Sequence, residues 1–284
     1  MIKITPLSPV CGAEITGVDL SGTLPANTLR SIENAWNKYL VIIFRSQSLS
    51  AEEQLTFASN FGPTGERGTP IERRREVDDY DGSVMLVTNQ KDKEGNYIGT
   101  IPEGELWFHS DLSYQEIPHK ATLLNALEIP DSGGNTMFAN MYLAFEKIPA
   151  QLKEKLAGRR ALHIYDFATT ERYNLDRGLN GVQSCWQPIF IKHPDTGRTA
   201  LYVSRLMTAL IEGLDRSESN NILNELFDIS EAPEIIYEHK WQKNDLLMTD
   251  NRCAVHARRD FPKEQLRLLR RCTVKGSNAL TAAA

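Results

Sequence analysis

Hydrophobic residues recur at helical spacing in two segments near the start of the chain. After Pro25, the apolar positions fall three or four residues apart: Leu29, Ile32, Ala35, Trp36 and Leu40. This period predicts an amphipathic helix, and the apolar run Val41–Phe44 predicts a buried strand directly after it. Ser50 and Glu53 form a capping box that predicts the start of a second helix, ending at Gly62.

A long polar stretch interrupts this pattern between Pro63 and Gly104. It is rich in glycine and charge, and only Ser83–Asn89 has the pattern of a strand. Its segment Arg73–Asp81 mixes positive and negative side chains, which is typical of a solvated loop. A loop of this length within a compact domain usually acts as a lid or is disordered, so we interpret the stretch as a surface excursion.

Short β-like runs dominate the rest of the chain. Lys120–Pro130 predicts a strand, and Leu143–Gly158 predicts a helix broken near Pro149. Six further strand-like runs follow: PIFIKH, TALYVS, EIIYEHKW, DLLMTD, RCAVHA and LRRCTVKG. One clear helix, DRSESNNILNELFDI, lies among them. Short strands at regular spacing with flanking helices predict a mainly β fold with a sandwich or jelly-roll core, in one domain that spans residues 1–284.

Composition and charge exclude several classes of protein. The chain has 284 residues and a formal net charge of -5, and no strongly basic block is present, so nucleic-acid binding is not favoured. No apolar run reaches the roughly 18 residues of a membrane span, and the N-terminal residues lack the pattern of an export signal. The four cysteines form no CxxC pair, which indicates reduced thiols and a cytoplasmic protein.

The stretch WFHSDLSYQE contains a histidine and an aspartate one residue apart, His109 and Asp111. On an extended segment, residues i and i+2 point to the same side and can reach one metal ion. His256 lies in RCAVHA, directly after the strand DLLMTD, and is a candidate third ligand. Two imidazoles and one carboxylate are the ligands of non-haem Fe(II) oxygenases. An HxD pair also arises by chance, and ordinary surface or core roles for these residues remain open.

Two arginines near the C-terminus share one face of a predicted strand. With a period of two, Arg267, Leu269 and Arg271 point to the same side of Gln265–Gly276. Guanidinium groups bind carboxylates in a bidentate fashion, which suits an organic acid inside a barrel. The alternative is that both arginines form salt bridges on an exposed edge strand.

Taken together, these segments resemble the TauD/TfdA family of taurine and aryloxyalkanoate dioxygenases, which use Fe(II) and 2-oxoglutarate. The resemblance covers nearly the whole chain and is carried by three stretches. These stretches are GAEITGVDLS with the helix–strand unit that follows it, WFHSDLSYQEIPHKATLLNALEIPDSGGNTMFAN and DNRCAVHARRDFPKEQLRLLRRCTVKG. The resemblance implies a double-stranded β-helix core, of the jelly-roll or cupin-like type, with residues 63–104 as an insertion near the active site.

The same resemblance assigns the iron ligands and the reaction. It implies that His109, Asp111 and His256 bind Fe(II). The cosubstrates would be 2-oxoglutarate and O2, and the products a hydroxylated substrate, succinate and CO2. Related halogenases lack the metal carboxylate, so the presence of Asp111 favours hydroxylation.

The remaining site residues are carried over from the family motifs in the same way. Thr136, which follows the paired glycines, and Arg267 would bind 2-oxoglutarate. Arg271, four residues further on, would contact the anionic group of a small substrate, a carboxylate or a sulfonate. Leu112 would lie at the rim of the substrate pocket, and the loop 63–104 would form much of that pocket.

Two departures from the family pattern weaken a taurine assignment. Thr249 stands where the family usually has tryptophan, and Glu105 stands where the taurine enzyme has an asparagine. A carboxylate at residue 105 would repel an anionic ligand unless it points away from the site. The aromatic residues Trp107 and Phe108 are interpreted as packing around the ligand strand.

Other reactions and other roles are possible for this set of residues. The same site could carry out desaturation, cyclisation or C–X cleavage, and a zinc hydrolase or a non-catalytic binding protein is a more distant alternative. His163 and His193 are expected to be structural, and Cys253 to serve in packing. The partners expected are a small-molecule substrate and further copies of the chain in a dimer or tetramer, without nucleic acid or membrane.

Overall fold

The computed structural model describes residues 2–68, 74, 80–101, 103–166 and 171–283. Within these residues the helices are α1 (Ala26–Tyr39), α2 (Ala51–Ser59), α3 (Met141–Lys147), α4 (Ala150–Leu156) and α5 (Arg216–Ser230). Single 3-10 turns lie at Leu175–Arg177 and Pro233–Ile235.

The strands of the first half are β1 (Lys3–Pro6), β2 (Ala13–Thr16), β3 (Val41–Phe44), β4 (Thr64–Gly65), β5 (Met85–Thr88), β6 (Leu106–His109), β7 (Ala121–Glu128) and β8 (Thr136–Asn140). Those of the second half are β9 (Arg160–Tyr165), β10 (Gln183–Pro188), β11 (Phe190–Lys192), β12 (Thr199–Leu201), β13 (Thr208–Ile211), β14 (Ile236–His239), β15 (Leu246–Asp250), β16 (Ala254–Arg258), β17 (Leu268–Val274) and β18 (Thr281–Ala282).

The larger sheet has eight strands, in the order β1-β2-β3-β15-β7-β17-β4, with β5 also paired to β17. Its side chains alternate between two faces, as the strand period requires. On the outer face, Leu123 and Met248 join a core cluster with Trp36 of α1 and Phe57 of α2. The two N-terminal helices therefore cover one side of this sheet, and its other side faces the interior of the protein.

The smaller sheet has four strands in the order β14-β8-β16-β6, all antiparallel. Its residues Phe138 and Val255 pack in the main core cluster with Leu124 and Leu247 of the larger sheet. The core thus lies between two sheets, in the arrangement expected of a jelly roll with flanking helices. Two three-stranded sheets, β10-β9-β13 and β12-β11-β18, complete the fold.

Most elements predicted from the hydrophobic pattern are confirmed. Helices α1 and α2 and strand β3 occur where predicted, the Ser50 capping box is present, and the break near Pro149 separates α3 from α4. Strands β1, β4, β9, β10, β13 and β18 were not predicted. All six lie outside the two central sheets or at their edge, where neighbours decide whether a short segment becomes a strand.

The described end of the polar stretch, residues 80–101, contains more regular structure than a simple surface excursion. Its strand β5 pairs with β17, and isolated bridges join Val87 to Thr100 and Lys91 to Tyr97. The end of the stretch is therefore a small hairpin on the edge of the larger sheet. Most of the charged segment 73–81 lies outside the described residues.

Candidate metal centre and cosubstrate pocket

His109 and His256 are brought together by the pairing of two neighbouring strands. Strand β6 ends at His109, and the β16–β6 register places His256 directly opposite it. The two imidazole centroids are 4.1 Å apart. This confirms the expectation that adjacent strands place the remote histidine beside the HxD pair.

Asp111 completes the cluster, although it does not lie on the strand. It occupies a turn just after β6, so the period-two argument for His109 and Asp111 was wrong in its detail. The Asp111 Oδ1 atom is nevertheless 3.8 Å from His109 Nε2. Potential ligand atoms of His109, Asp111 and His256 all lie within 4.8 Å of one another, so the three residues can hold a metal ion.

The protonation states of the two imidazoles suit metal binding. His109 Nδ1 lies 2.8 Å from the carbonyl oxygen of Trp107, which can only accept, so the ring donates through Nδ1 and Nε2 keeps its lone pair. Burial lowers the pKa of His109. Burial also lowers the pKa of His256 to about 3, and the neighbouring His109 adds to this lowering. Both rings are therefore neutral at pH 7. His256 Nδ1 is buried and has no hydrogen-bond partner among the described residues.

The carboxyl group of Asp111 is ionised. Burial opposes its ionisation, but the Arg271 guanidinium and the hydrogen bond from the Thr122 hydroxyl outweigh this effect and hold the pKa of Asp111 well below its usual range. The Arg271 guanidinium contacts Asp111 Oδ2 through Nη2 at 2.9 Å and through Nε at 3.2 Å. A neutral imidazole pair beside an ionised carboxylate matches the donor set of a divalent iron site.

Arg267 and Thr136 lie in the same cavity as these three residues. Arg267 is 2% exposed, and among the described residues its guanidinium donates, from Nε and Nη2, only to the carbonyl oxygen of Gly134, at 3.2 and 3.1 Å. Gly134 has a φ of +65°, and a Cβ there would stand 3.0 Å from Arg267 Nε. The paired glycines therefore give the backbone the conformation and the space that this contact needs.

Burial of Arg267 without a described carboxylate partner has an electrostatic cost. Burial and the nearby Arg258 lower the pKa of Arg267 to about 9, so it stays cationic at pH 7. An uncompensated buried cation is expensive unless a ligand supplies the opposite charge. Because Arg267 and Arg271 are both buried and β17 lies between β7 and β5, the alternative of salt bridges on an exposed edge strand is wrong.

The cavity lies between the two sheets and has a volume of about 490 Å3, its open mouth included. Besides the polar residues described above, most of its lining is apolar: Met85, Val87, Ile101, Leu106, Leu124 and Leu269. A mainly apolar cavity with a few convergent polar groups is the usual form of a small-molecule site.

Sequence reasoning missed Arg258, which also lines the cavity. It is buried and donates four hydrogen bonds to the carbonyl oxygens of Ile101, Glu103 and Gly104, at 2.6 to 3.1 Å. These contacts tie the end of the 63–104 stretch to the strand that carries His256. The sequence could have indicated this residue, because a strand period of two puts Arg258 on the same face as His256.

Other residues singled out in the sequence lie away from the cavity. Leu112 has a φ of +58° and packs with Leu106 and Tyr114 in a small cluster, and it is not among the cavity-lining residues. Its contact with substrate stays a prediction. Glu105 is exposed and is not part of the cavity wall either, so it does not oppose an anionic ligand there. The packing role expected of Trp107 is wrong, since its side chain is 41% exposed.

A second cluster, formed by His193, Asp250 and Cys253, has the composition of a metal site but not its chemistry. His193 Nδ1 accepts from the backbone N–H groups of residues 195 and 196, so Nε2 carries the hydrogen and donates to Asp250 at 3.0 Å. Both oxygens of Asp250 also accept from Arg252. Burial raises the pKa of Cys253 well above its usual value, so it stays a thiol. The cluster is a closed hydrogen-bond network, in agreement with the structural role expected of His193.

His163 gives a testable pH effect outside the site. Burial lowers the pKa of this imidazole to about 3, against an ordinary value near 6.5. Between these two pH values the unfolded chain binds a proton that the folded chain does not, so stability is lost as the pH falls. We expect His163→Phe, which keeps a planar ring, to gain stability relative to the wild type on going from pH 7 to pH 5, by on the order of 1–2 kcal/mol. Urea unfolding of both proteins at both pH values measures this difference. If the free energy of unfolding changed equally in the wild type and in His163→Phe between the two pH values, the expectation would be wrong.

Two observations bear on the class of protein. All four cysteines are free, as predicted. Among the described residues, no helix combines the length and apolarity needed to cross a bilayer.

Comparison with known proteins identifies the family. The family model described as "Taurine catabolism dioxygenase TauD, TfdA family" matches residues 3–273. The chain is 31% identical over 285 residues to the alpha-ketoglutarate-dependent 2,4-dichlorophenoxyacetate dioxygenase of Cupriavidus pinatubonensis, with 96% of this chain and 97% of that protein covered.

Solved structures show the same relationship. A taurine dioxygenase from Burkholderia xenovorans superposes with a TM-score of 0.81 at 26% identity, over 100% of this chain and 95% of that one. AAD-2, solved in complex with Mn(II) and N-oxalylglycine, superposes with a TM-score of 0.77 at 28% identity, over 98% and 99% of the two chains. The chain therefore belongs to the TauD/TfdA family of 2-oxoglutarate-dependent, non-haem iron dioxygenases.

Proposed function

We propose that this enzyme hydroxylates a small organic anion with an apolar body, with His109, Asp111 and His256 as the Fe(II) ligands. One observation carries the proposal: this ligand cluster lines the same cavity as Arg267 and Arg271. A zinc hydrolase needs no clamp for 2-oxoglutarate, so the presence of Arg267 and Thr136 in that cavity argues against this alternative. When bound, Fe(II) together with 2-oxoglutarate and O2 supplies the oxidising power to replace a substrate C–H bond by C–OH, with release of succinate and CO2.

Arg267 and Thr136 are proposed to hold the cosubstrate. One edge of the Arg267 guanidinium, Nε and Nη2, donates to the Gly134 carbonyl oxygen, and the group has no described carboxylate partner. A carboxylate entering the cavity would therefore complete its hydrogen bonding. The Thr136 hydroxyl accepts from Trp241 Nε1 at 3.0 Å, which leaves its own hydrogen to be donated. Together they offer charge-assisted and neutral donors to one carboxylate and fix the orientation of the molecule that carries it.

The charge of the cavity supports an anionic substrate. Its described lining contains three guanidiniums, those of Arg258, Arg267 and Arg271, and a single carboxylate, that of Asp111. Asp111 balances one of the three guanidiniums, so two positive charges remain, and the dianion 2-oxoglutarate offsets these two. Fe(II) then adds two further positive charges to the cavity. An anionic group on the substrate, a carboxylate or a sulfonate, lowers the cost of this uncompensated charge. Arg271 is the proposed contact for it, on the side not taken by Asp111.

The apolar wall defines the rest of the substrate. Met85, Val87 and Ile101 come from the hairpin at the end of the 63–104 stretch and line the same cavity as the ligand cluster. They exclude water from the reacting C–H bond and favour a hydrocarbon or aromatic portion. Which C–H bond lies closest to the ligands decides whether hydroxylation is followed by desaturation, cyclisation or C–X cleavage, and product analysis by mass spectrometry distinguishes these outcomes.

Anaerobic spectroscopy tests the proposed function. We expect Fe(II) followed by 2-oxoglutarate to give a weak visible charge-transfer band in the wild-type protein, and Fe(II) followed by succinate, which cannot chelate in the same way, to give none. Air is then admitted in the presence of each member of a panel of carboxylates and sulfonates with apolar bodies. With a true substrate, the enzyme should release succinate in proportion to the substrate consumed. A wild-type protein that gives no band with 2-oxoglutarate would contradict the proposal.

Assembly and location stay predictions. We propose a homo-oligomer, a dimer or a tetramer, in the cytoplasm and without nucleic-acid or membrane partners, on the family resemblance and the absence of a basic block. Light scattering on the purified protein measures the mass in solution, and a monomeric mass would contradict the assembly.

A further inference from the structure

The two oxygens of Asp111 have different environments. Oδ2 accepts two hydrogen bonds, from the Thr122 hydroxyl at 2.5 Å and from Arg271 Nε at 3.2 Å, and it forms an ion pair with Arg271 Nη2 at 2.9 Å. Oδ1 instead faces the imidazole of His109, with 3.8 Å between Oδ1 and Nε2. One oxygen of the carboxylate is thus held by protein donors, and the other is directed at His109.

The direction of the Thr122 hydrogen bond is fixed by Asn251. The Asn251 side-chain amide donates to Thr122 Oγ1 at 2.9 Å, so the hydroxyl uses a lone pair there and keeps its own hydrogen for Asp111. An ionised carboxylate can only accept, which agrees with this direction. Asn251 therefore acts on Asp111 through Thr122.

Asn251 is itself held by residues on both sides of the site. Its backbone N–H donates to the carbonyl oxygen of Lys120 at 3.0 Å, and its carbonyl oxygen accepts from the Ser110 hydroxyl at 2.6 Å. Ser110 lies between the two residues of the HxD pair, and Asn251 lies in the turn between β15 and β16, five residues before His256. The chain Asn251–Thr122–Asp111 thus links the two segments that carry the metal ligands.

We propose that Thr122 and Asn251 are positioning residues that restrict Asp111 to binding the metal through Oδ1 alone. The inference rests on the proposed function, because it needs a metal at the His109, Asp111 and His256 cluster. Binding through both oxygens would require Oδ2 to give up its hydrogen bonds with Thr122 and Arg271. A carboxylate held to one oxygen leaves more of the metal open to cosubstrate and O2, which this reaction requires.

The chain offers a matched control for Thr122. Thr249 lies directly opposite Thr122 in the β15–β7 register, is 1% exposed, and its hydroxyl has no hydrogen-bond partner among the described residues. Replacing either threonine by valine removes one buried hydroxyl from neighbouring positions of the same sheet. Only the Thr122 hydroxyl contacts a proposed metal ligand.

Metal affinity without cosubstrate is the first measurement. We expect Thr122→Val to weaken the binding of Mn(II), followed by electron paramagnetic resonance, by about 10- to 100-fold, the usual effect of losing a hydrogen-bond partner behind a metal ligand. Thr249→Val should bind Mn(II) as the wild type does, and Thr122→Ser should restore the affinity. Thermal unfolding of the same samples separates this effect from loss of fold. If Thr122→Val does not fold, Thr122→Ala is compared with Thr122→Ser in the same assay.

The Co(II) visible spectrum gives a second readout that a purely structural role would not change. Release of Oδ2 in Thr122→Val permits binding through both carboxylate oxygens, which alters the ligand field of Co(II) and therefore changes its d–d absorption. Asn251→Ala should change the spectrum in the same direction and add little in the double variant, since it acts through Thr122.

The outcomes separate the two proposals. A wild-type protein that binds no Mn(II) overturns the proposed function. A wild type that binds Mn(II), with Thr122→Val matching it in both affinity and Co(II) spectrum, overturns only the positioning role. Equal losses in Thr122→Val and Thr249→Val also overturn that role, because they would show a general packing effect.

Discussion

His256→Ala is expected to abolish dioxygenase activity and to remove the charge-transfer band of the anaerobic Fe(II)–2-oxoglutarate complex. His256 is a buried, neutral imidazole whose Nδ1 has no described partner, and its ring lies 4.1 Å from that of His109. Loss of a partner behind a metal ligand costs about 10- to 100-fold in affinity, so loss of the ligand itself should exceed about 100-fold. Equilibrium dialysis with Fe(II) under argon measures the affinity.

Two controls sharpen this result. Free imidazole should enter the space left in His256→Ala and restore part of the band. His119→Ala is the matched variant, because His119 is also a buried histidine near Asp111, but it contacts Thr273 Oγ1 at 2.8 Å and does not line the cavity. If His256→Ala kept the band, or if His119→Ala lost it equally, the assignment of the metal ligands would be wrong.

Arg267→Met is expected to weaken 2-oxoglutarate binding while leaving Fe(II) affinity unchanged. The variant keeps an unbranched side chain but loses the buried cation, and truncating one partner of a buried charge pair costs about 2–5 kcal/mol. This corresponds to an increase of about 30-fold to about 4,000-fold in the dissociation constant of 2-oxoglutarate. Titration of the Fe(II)-loaded protein with 2-oxoglutarate, followed by the charge-transfer band, gives this constant directly.

Arg259→Met provides the comparison for Arg267. Its side chain is about half exposed, and its only ion pair with a described residue is a long one, 3.8 Å, to Glu238. The variant therefore tests the effect of removing a positive charge near the site without touching the cavity. We expect a change of less than about threefold, because exposed charges are screened by water and salt. Similar losses in both variants would show that Arg267 acts through overall charge rather than as a cosubstrate clamp.

The strand period was sufficient to predict much of the cavity. A period of two placed Arg267, Leu269 and Arg271 on one face, and all three line the cavity. The same period, continued two residues beyond His256, would have added Arg258. These predictions worked because alternation between two faces is a local property of any strand, whatever its neighbours.

Features that depend on pairing between distant segments could not be predicted in the same way. The direct opposition of His109 and His256 depends on the register of β6 with β16, which is set by the packing of the whole sandwich. The position of Asp111 in a turn, and the hydrogen bond from Thr122 to its Oδ2, depend on where that strand ends. Thr122 was visible as a polar residue in an apolar strand, but its partner was not.

The hairpin that supplies Met85 and Ile101 has a consequence for how this enzyme can diversify. It joins the larger sheet at an edge, through β5, whereas the two histidines lie on the smaller sheet and Arg267 directly precedes β17. Substitutions in this hairpin can therefore reshape the substrate wall while the ligands for iron and 2-oxoglutarate keep their supports. The substrate range of such an enzyme can therefore change through substitutions in one short segment. A library limited to Met85, Val87 and Ile101 is a small set in which to search for new substrates.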